Sequence, residues 1–264
     1  MCLIGIAWKM HPDFPLIAAA NRDEYHARPT APSAWWRDAR QVLAGRDLQS
    51  GGTWMGITCS GRFAALTNVR DPAGQLQEAP TRGALVADFL CGTAAPAANA
   101  TRLATQTGHY NGFNLLTGTA EALWYTGNRG ATPHALAPGI YGLSNALLDT
   151  PWPKVTALKS ALAAALGGMM AKEPLQSRVS GLMPVLFQAL GDARPAPDAL
   201  LPHTGVPLER ERALSSALIV APGYGTRAST VLCMTRDGSV TWEERSLTPD
   251  GAVAHTVREQ FNLG

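Results

Sequence analysis

Cys2 is the residue of this chain best placed to do chemistry, because it follows Met1 directly and heads the apolar run at residues 3–8. Removal of Met1 would give a terminal cysteine that carries a thiol nucleophile and an amine base in one residue. The ordinary pKa of a thiol is about 8.5 and that of a terminal amine about 7.7 to 8.0, so the amine can accept the thiol proton near neutral pH. Retention of Met1 would turn the amine into an amide and remove the base. The alternative is that Cys2 is a small apolar residue opening a buried strand.

Four polar residues directly follow the apolar run at residues 16–20, namely Asn21, Arg22, Asp23 and Glu24. Because side chains alternate along a strand, we expect Asn21 and Asp23 on one side and Arg22 and Glu24 on the other. The pair that faces Cys2 would supply a carboxylate to hold an ammonium, or a guanidinium to hold a substrate carboxylate. A solvated turn with exposed ion pairs is the alternative interpretation.

Two asparagines, Asn68 and Asn145, end apolar runs that are typical of strands. An amide donor held by a rigid strand suits an oxyanion hole, although asparagine at a strand end also serves ordinary turns. Arg227 closes the glycine-flanked segment at residues 223–227, and its guanidinium would suit a substrate carboxylate or phosphate. That segment lacks the spacing and the Lys-Ser/Thr ending of a P-loop.

Strands must carry these residues, and the apolar pattern predicts them at residues 2–8, 16–21, 42–46, 53–59, 62–68, 113–118, 122–126, 141–145, 217–221, 230–235 and 240–244. Thr81 is predicted to cap a helix that includes residues 85–90, and a second helix is expected at residues 97–105. Pro151 or Pro153 is expected to open a third helix, which Gly167 and Gly168 close; residues 175–190 predict a fourth. Residues 192–207 are predicted to form a loop. Helical pairs between groups of strands predict two sheets enclosed by helix layers.

Composition limits the class of protein. The chain has 264 residues, is 46% hydrophobic and shows no convincing linker, so we predict one domain over residues 1–264. A formal charge of +2, from 22 basic and 20 acidic residues without a basic run, argues against a nucleic-acid partner. Cysteines at positions 2, 59, 91 and 233 lack metal or disulfide spacing, which favours a reducing interior without structural zinc.

The sequence shows no secretory signal and no run long enough for a membrane span, so a soluble cytoplasmic protein is expected. Histidines at positions 11, 26, 109, 134, 203 and 255 have no HxH or HxxxH spacing, and no metal site is expected. A single haem ligand among them stays open.

Several segments, in chain order, resemble the NRDE family, whose eukaryotic members are called transport and Golgi organisation protein 2. They are Met1-Cys2, residues 18–24 with Arg28-Pro29, residues 51–57 and 64–68, Arg82-Gly83, and residues 110–115, 127–130, 141–145, 149–152, 222–227 and 244–246. The family is similar to the penicillin V acylase and bile salt hydrolase branch of the N-terminal nucleophile hydrolases. This resemblance implies an α+β fold, a four-layer αββα sandwich.

The same resemblance implies roles for individual positions. In the catalytic set implied by the resemblance, Cys2 is the nucleophile and Asp23 orients the terminal amine. Asn68 and Asn145 serve the oxyanion, and Arg227 polarises the site. Expected substrate-binding residues are Asn21, Arg22, Glu24 and Trp54. The arginine that precedes the Asn-x-Asp element in those hydrolases falls at Ala20 here, whereas this chain carries Arg22 inside the element.

The resemblance implies two functions. The first is an amidase or acyl hydrolase acting on a small amphipathic acyl compound, with no cofactor required. The second is a haem, lipid or acyl-coenzyme A carrier that keeps the hydrolase fold without its chemistry. A trafficking scaffold is a third expectation, disfavoured because the chain has no repeat. An enzyme needs the free Cys2 amine, whereas a carrier tolerates Met1.

Overall fold

The computed structural model describes residues 2–72, 74–130, 132–169 and 173–264. Met1, whose removal decides the chemistry predicted for Cys2, lies outside the described residues. The strands are β1 (Cys2–His11), β2 (Phe14–Tyr25), β3 (Thr30–Trp35), β4 (Val42–Asp47), β5 (Met55–Thr58), β6 (Phe63–Asn68), β7 (Phe113–Gly118), β8 (Leu123–Gly127), β9 (His134–Ala135), β10 (Gly139–Leu143), β11 (Val220–Ala221), β12 (Tyr224–Met234), β13 (Ser239–Leu247) and β14 (Val253–Asn262). The helices are α1 (Gly83–Cys91), α2 (Pro96–Ala104), α3 (Pro153–Gly167), α4 (Leu175–Leu190) and α5 (Leu208–Ala213).

The strands form two antiparallel sheets. The first has the order β10-β1-β2-β12-β13-β14, with β11 paired to β12, and the second has the order β3-β4-β5-β6-β7-β8-β9. Cys2 opens β1, which lies inside the first sheet between β10 and β2. The candidate nucleophile therefore sits at the end of an internal strand whose position is fixed by hydrogen bonds on both sides.

Three apolar clusters define the layers. Between the sheets, Ile4 and Ile6 of β1 pack with Phe63 and Ala65 of β6. On the outer face of the first sheet, Leu3 and Ala7 pack with residues of α3 and α4, because alternate residues of a strand point to opposite faces. On the outer face of the second sheet, residues of β6 and β7 pack with α1. The four-layer αββα sandwich is therefore confirmed.

Gly5 allows α3 to lie close against β1. A Cβ atom at this position would come within 2.8 Å of Leu158 Cγ and Leu162 Cδ1. Real Cβ contacts are not that short, so any larger residue would push α3 away from the sheet. The close approach brings the first turn of α3, which contains Lys154, to the Cys2 end of β1.

Several boundaries differ from the sequence predictions. β2 continues to Tyr25, so the polar tetrapeptide lies inside a strand and not in a solvated turn, because β12 pairs with it as far as Tyr25↔Tyr224. The N-cap of α1 is Arg82, without a side-chain cap bond, so the prediction of Thr81 as N-cap is wrong. β3, β14 and α5 were not predicted; β14 is an edge strand whose alternating residues are largely exposed and polar.

Within the described residues, no helix combines the length and the apolar character needed to cross a membrane.

Candidate active site

Cys2 lies at a cavity of about 810 Å³ between the ends of the two sheets. The thiol-bearing residue is buried, with 7% of its surface exposed, and pairs across β1 and β2 with Arg22. Paired residues of an antiparallel ladder point to the same face, so Cys2 and Arg22 share the face that looks between the sheets. Ser144 Oγ donates a hydrogen bond to the Cys2 carbonyl at 3.0 Å. The start of β1 is thus held by β2 on one side and by the segment just after β10 on the other.

Opposing effects act on the Cys2 thiol. Burial raises its pKa, and the Asp23 carboxylate acts in the same direction. The Arg22 guanidinium and a hydrogen bond from the Asp23 backbone N–H lower it by favouring the thiolate. Burial is the largest effect, so the thiol is protonated at neutral pH and needs a base before it can attack a carbonyl.

Arg22 and Glu24 both line the cavity, as alternation along β2 requires once Arg22 faces Cys2. Arg22 Nη1 donates to Thr30 Oγ1 of β3 at 3.1 Å, which links the two sheets at the cavity edge. Glu24 Oε2 lies 4.0 Å from Arg22 Nη2 and 3.9 Å from Arg28 Nε. The Arg22 guanidinium therefore lies beside the Cys2 thiol, and the Glu24 carboxylate follows two residues further along β2.

Asn21 points to the opposite face, towards the helix layer, and does not line the cavity. Its Nδ2 donates to the carbonyls of Leu190 and Ala217 at 2.9 and 2.8 Å, and its Oδ1 accepts from Ser229 Oγ at 2.7 Å. The residue is completely buried. The Asn21 amide thus joins β2 to α4 and to the segment before β11, on the face opposite the cavity in which it was predicted to bind substrate.

Asp23 shares the helix-facing side, directly behind the Cys2–Arg22 pair. Its Oδ1 accepts a hydrogen bond from Thr226 Oγ1 of β12 at 2.7 Å. Burial raises the pKa of the Asp23 carboxyl, while the nearby Lys154 ammonium, the Thr226 hydroxyl and the Arg70 guanidinium oppose that rise. The predicted orienting carboxylate is thus next to the nucleophile, within a cluster of charges that the sequence did not predict.

Lys154 and Arg70 supply the positive charge of this cluster. Lys154 is 4% exposed and its Nζ donates to the Leu214 carbonyl at 2.9 Å. Burial lowers its pKa to about 8, whereas Asp23 acts to raise it. Arg70 forms a buried ion pair with Glu211 of α5, with 2.6 Å between Nη1 and Oε2. Two cations therefore stand behind Cys2 on the face opposite the cavity.

The two predicted oxyanion residues differ in their surroundings. Asn68 ends β6 and lines the cavity. Asn145 lies two residues beyond the end of β10, is 1% exposed, and donates from Nδ2 to the Asn68 carbonyl at 2.9 Å. Asn145 is not part of the cavity lining. Asn68 can thus face a substrate directly, whereas Asn145 acts on the backbone that carries Asn68.

Arg227 and Trp54 both line the cavity. Arg227 lies at a bulge of β12, where the register shifts between Thr226 and Ala228. Its Nη1 donates to the carbonyls of Tyr25, His26 and Arg28, at 2.9, 3.1 and 3.2 Å. Trp54 is 8% exposed and also belongs to the core between the sheets. The guanidinium is held by backbone, and the indole forms an apolar part of the wall.

Arg82 is a cavity residue to which sequence analysis gave no role, although Arg82-Gly83 was among the resembling segments. Thr53 N–H donates to the Gly83 carbonyl at 3.2 Å, and a Cβ at Gly52 would lie 2.5 Å from the Gly83 carbonyl carbon. The two glycines therefore let the start of α1 touch the loop before β5. This contact places Arg82 at the cavity, where its Nη1 donates to the Gly112 carbonyl at 3.0 Å.

Among the described residues, no group of three or more histidine, cysteine, aspartate or glutamate side chains is arranged to hold a metal ion. Within the part of the chain that the structure describes, His255 is the one histidine in the cavity lining, and it is exposed on β14. All four cysteines are free; Cys2 and Cys233 are buried, and Cys59 and Cys91 are exposed.

Comparisons with known proteins agree with the resembling segments. A family model described as Transport and Golgi organisation 2 matches residues 1–249. The chain is 36% identical to the Transport and Golgi organization protein 2 homolog of Bos taurus, over 100% of this chain and 99% of that protein. It is also 36% identical to the Homo sapiens homolog, over 94% of this chain and 93% of that protein.

Two solved structures show a more distant likeness. One is a Caenorhabditis elegans ortholog of N-acylethanolamine-hydrolyzing acid amidase, with a TM-score of 0.48 and 11% identity over 88% of this chain and 92% of that chain. The other is a mutant of the conjugated bile acid hydrolase of Clostridium perfringens, with a TM-score of 0.49 and 6% identity over 99% and 97%. The match of sequence over nearly the whole chain establishes that this protein belongs to the Transport and Golgi organisation 2 family.

Proposed function

We propose that this protein is an N-terminal cysteine amidohydrolase that cleaves a small amphipathic acyl amide after Met1 is removed. The observation that carries the proposal is the position of Cys2 at the cavity, paired with Arg22 and backed by the Asp23 carboxylate. A buried thiol with a raised pKa needs a base, and a terminal cysteine supplies one in its own amine.

The proposed reaction has two halves. The Cys2 amine takes the thiol proton and Sγ attacks the amide carbonyl carbon, giving a tetrahedral oxyanion. The C–N bond then breaks, the leaving amine takes the proton from the Cys2 ammonium, and an acyl thioester remains. In the second half, water gives a proton to the same amine and attacks the thioester, which releases the carboxylic acid and restores the thiol.

Other residues assist these steps in defined ways. Asn68 lines the cavity and is the candidate donor to the oxyanion, while Asn145 fixes the Asn68 backbone. Asp23 is the candidate partner for the Cys2 amine, since a carboxylate orients an ammonium. Trp54 offers an apolar surface for the acyl chain. This division gives Asn145 a positioning role in place of the direct oxyanion contact implied by the resemblance.

The test is the intact mass of the full chain before and after exposure to penicillin V, an acylating β-lactam. Loss of Met1 together with a mass increase of one acyl group is expected, and Cys2→Ala should abolish the increase. Cys59→Ala and Cys91→Ala are matched controls, because these exposed thiols could react without a catalytic site. An adduct that survives in Cys2→Ala, or a wild-type protein that keeps Met1 and forms none, would refute the proposal.

One observation favours a carrier as the second candidate function. The pKa of the Cys2 thiol is raised by burial, which disfavours the nucleophilic thiolate. A carrier would hold an acyl-coenzyme A, a lipid or haem in the cavity and would need no free amine. A ligand seen only in the native mass spectrum, or a haem absorbance band, together with retained Met1 would support this candidate.

A further inference from the structure

Some of the arginines that line the cavity form ion pairs with carboxylates, and others do not. Five arginines line it, namely Arg22, Arg28, Arg46, Arg82 and Arg227. Ion pairs engage the first three: Arg28 with Asp47 at 2.7 Å, Arg46 with Asp38 at 2.8 Å, and Arg22 with Glu24 at 4.0 Å. Within the described part of the chain, neither Arg82 nor Arg227 has a carboxylate within 4.0 Å. Both are held by backbone carbonyls, which leave their full positive charge in place.

The remaining acids of the cavity do not balance these two charges. Asp23 directs its carboxyl to Thr226 on the helix-facing side of β2. Glu244 is 3% exposed and accepts hydrogen bonds from the Ser33 backbone N–H and hydroxyl, both at 2.6 Å. Among the described residues, neither carboxyl forms an ion pair with Arg82 or Arg227. The positive charges of these two arginines are therefore not neutralised by a neighbouring carboxylate.

Arg82 and Arg227 both line the same cavity as Cys2. Arg82 is close enough to Cys2, Glu24 and Arg28 for their charges to act on its pKa, which burial lowers. Arg227 interacts electrostatically with Arg22 and Glu24, and its Nη1 contacts the Arg28 carbonyl. A half-buried cation whose pKa is lowered by burial is stabilised by an anion brought next to it. A ligand that occupies the cavity and reaches Cys2 therefore shares the cavity with both arginines.

We propose that Arg82 and Arg227 bind the anionic group of the substrate, so that the cavity selects amphipathic acyl amides bearing a carboxylate or phosphate over neutral ones. This inference rests on the proposed function for its reaction, but the selection itself is a property of binding. A carboxylate and a phosphate each present two oxygens that can accept a pair of hydrogen bonds from one guanidinium group. Arg82 is thereby assigned as a specificity-determining residue.

The test measures binding to the full chain carrying Cys2→Ala, so that hydrolysis does not interfere. The carboxylate probe is N-dodecanoylglycine against the neutral N-dodecanoylglycinamide, and the phosphate probe is N-dodecanoyl-phosphoethanolamine against N-dodecanoylethanolamine. At least one anionic probe is expected to bind about tenfold or more tightly than its neutral partner. Arg82→Gln is expected to weaken that probe roughly ten- to hundredfold and to leave the neutral partner unchanged.

Two further variants keep this test informative. Arg82→Lys retains the charge and should keep part of the selectivity, which separates loss of charge from loss of the fold. Arg40→Gln removes an exposed arginine outside the cavity and should change neither affinity. Equal affinity for each anionic and neutral pair, or an equal loss for both in Arg82→Gln, would overturn the inference. Selective binding without a Cys2 adduct would overturn the proposed function and leave the anion site standing.

Discussion

Replacing Lys154 by methionine should change how the stability of this protein depends on pH. Lys154 is 4% exposed, and burial lowers its pKa from the ordinary 10.5 to about 8. The charges that face it come from several elements: Asp23 on β2, Arg70 after β6, Cys2 on β1 and Glu211 on α5. Methionine has a similar length and no charge, so the variant removes the titration and retains most of the packing.

The size of this pH dependence follows from the pKa of Lys154 in the folded chain and in the unfolded chain. Because the lysine binds its proton more weakly in the folded chain, the unfolded chain holds more protons, and stability rises with pH between about 8 and about 10.5. The lowered pKa of Lys154 therefore costs about 3 kcal/mol of folding free energy at pH 7 and about 1 kcal/mol at pH 9.5. The advantage of Lys154→Met over the wild type should shrink by about 2 kcal/mol between these two pH values.

The assay is urea denaturation of wild type and variant at pH 7, 8 and 9.5. Loss of the Nζ bond to the Leu214 carbonyl lowers the stability of the variant by a similar amount at each pH, so only the change of the difference is diagnostic. Lys159→Met on the same helix controls for exchanging lysine with methionine, since Lys159 is half-buried and bonded to Asp149. If the difference in unfolding free energy between wild type and Lys154→Met stays constant from pH 7 to 9.5, the lowered pKa of Lys154 is refuted.

Three further substitutions test the framework of the site. Gly52→Ala should cost about 1–3 kcal/mol in urea denaturation, because its Cβ would lie 2.5 Å from Gly83 backbone; an unchanged midpoint would contradict the contact. Asn145→Ala should slow β-lactam acylation by about tenfold or more, by freeing the Asn68 carbonyl that it holds at 2.9 Å, and unchanged kinetics would exclude this positioning role. Leu162→Ala, at a fully buried position, should cost about 2–5 kcal/mol; a smaller loss would mean that α3 packs less closely on β1.

Alternation along β2 allowed part of the site to be predicted from the sequence. The period of two correctly separated Asn21 and Asp23 from Arg22 and Glu24. It could not say which pair faces Cys2, because that depends on the register Cys2↔Arg22 between two strands. Register is a long-range property, so the sequence could not show that Asn21 faces the helix layer.

Lys154 and Arg82 show what local patterns cannot reveal. Lys154 directly follows Pro153 at the start of α3, a position where lysine is ordinarily exposed, and only the packing of α3 on the Cys2 end of β1 buries it. The location of Arg82 depends on contact between Gly52 and Gly83, which are far apart in the sequence. Charged residues of this kind become part of a site through tertiary contacts that apolar periodicity does not encode.

The two faces and the pairing of β2 explain why this chain carries an arginine at position 22 and an alanine at position 20. Residues two apart on a strand share a face, so Arg22 projects to the same side as Ala20. Ala20 pairs with Ile4 and is fully buried in the core between the sheets, where a guanidinium would lack polar partners. Arg22 pairs with Cys2, at the cavity and in reach of Thr30. A cation at position 22 therefore stands directly opposite the thiol and favours its ionised form, which is compatible with the catalytic function proposed for Cys2.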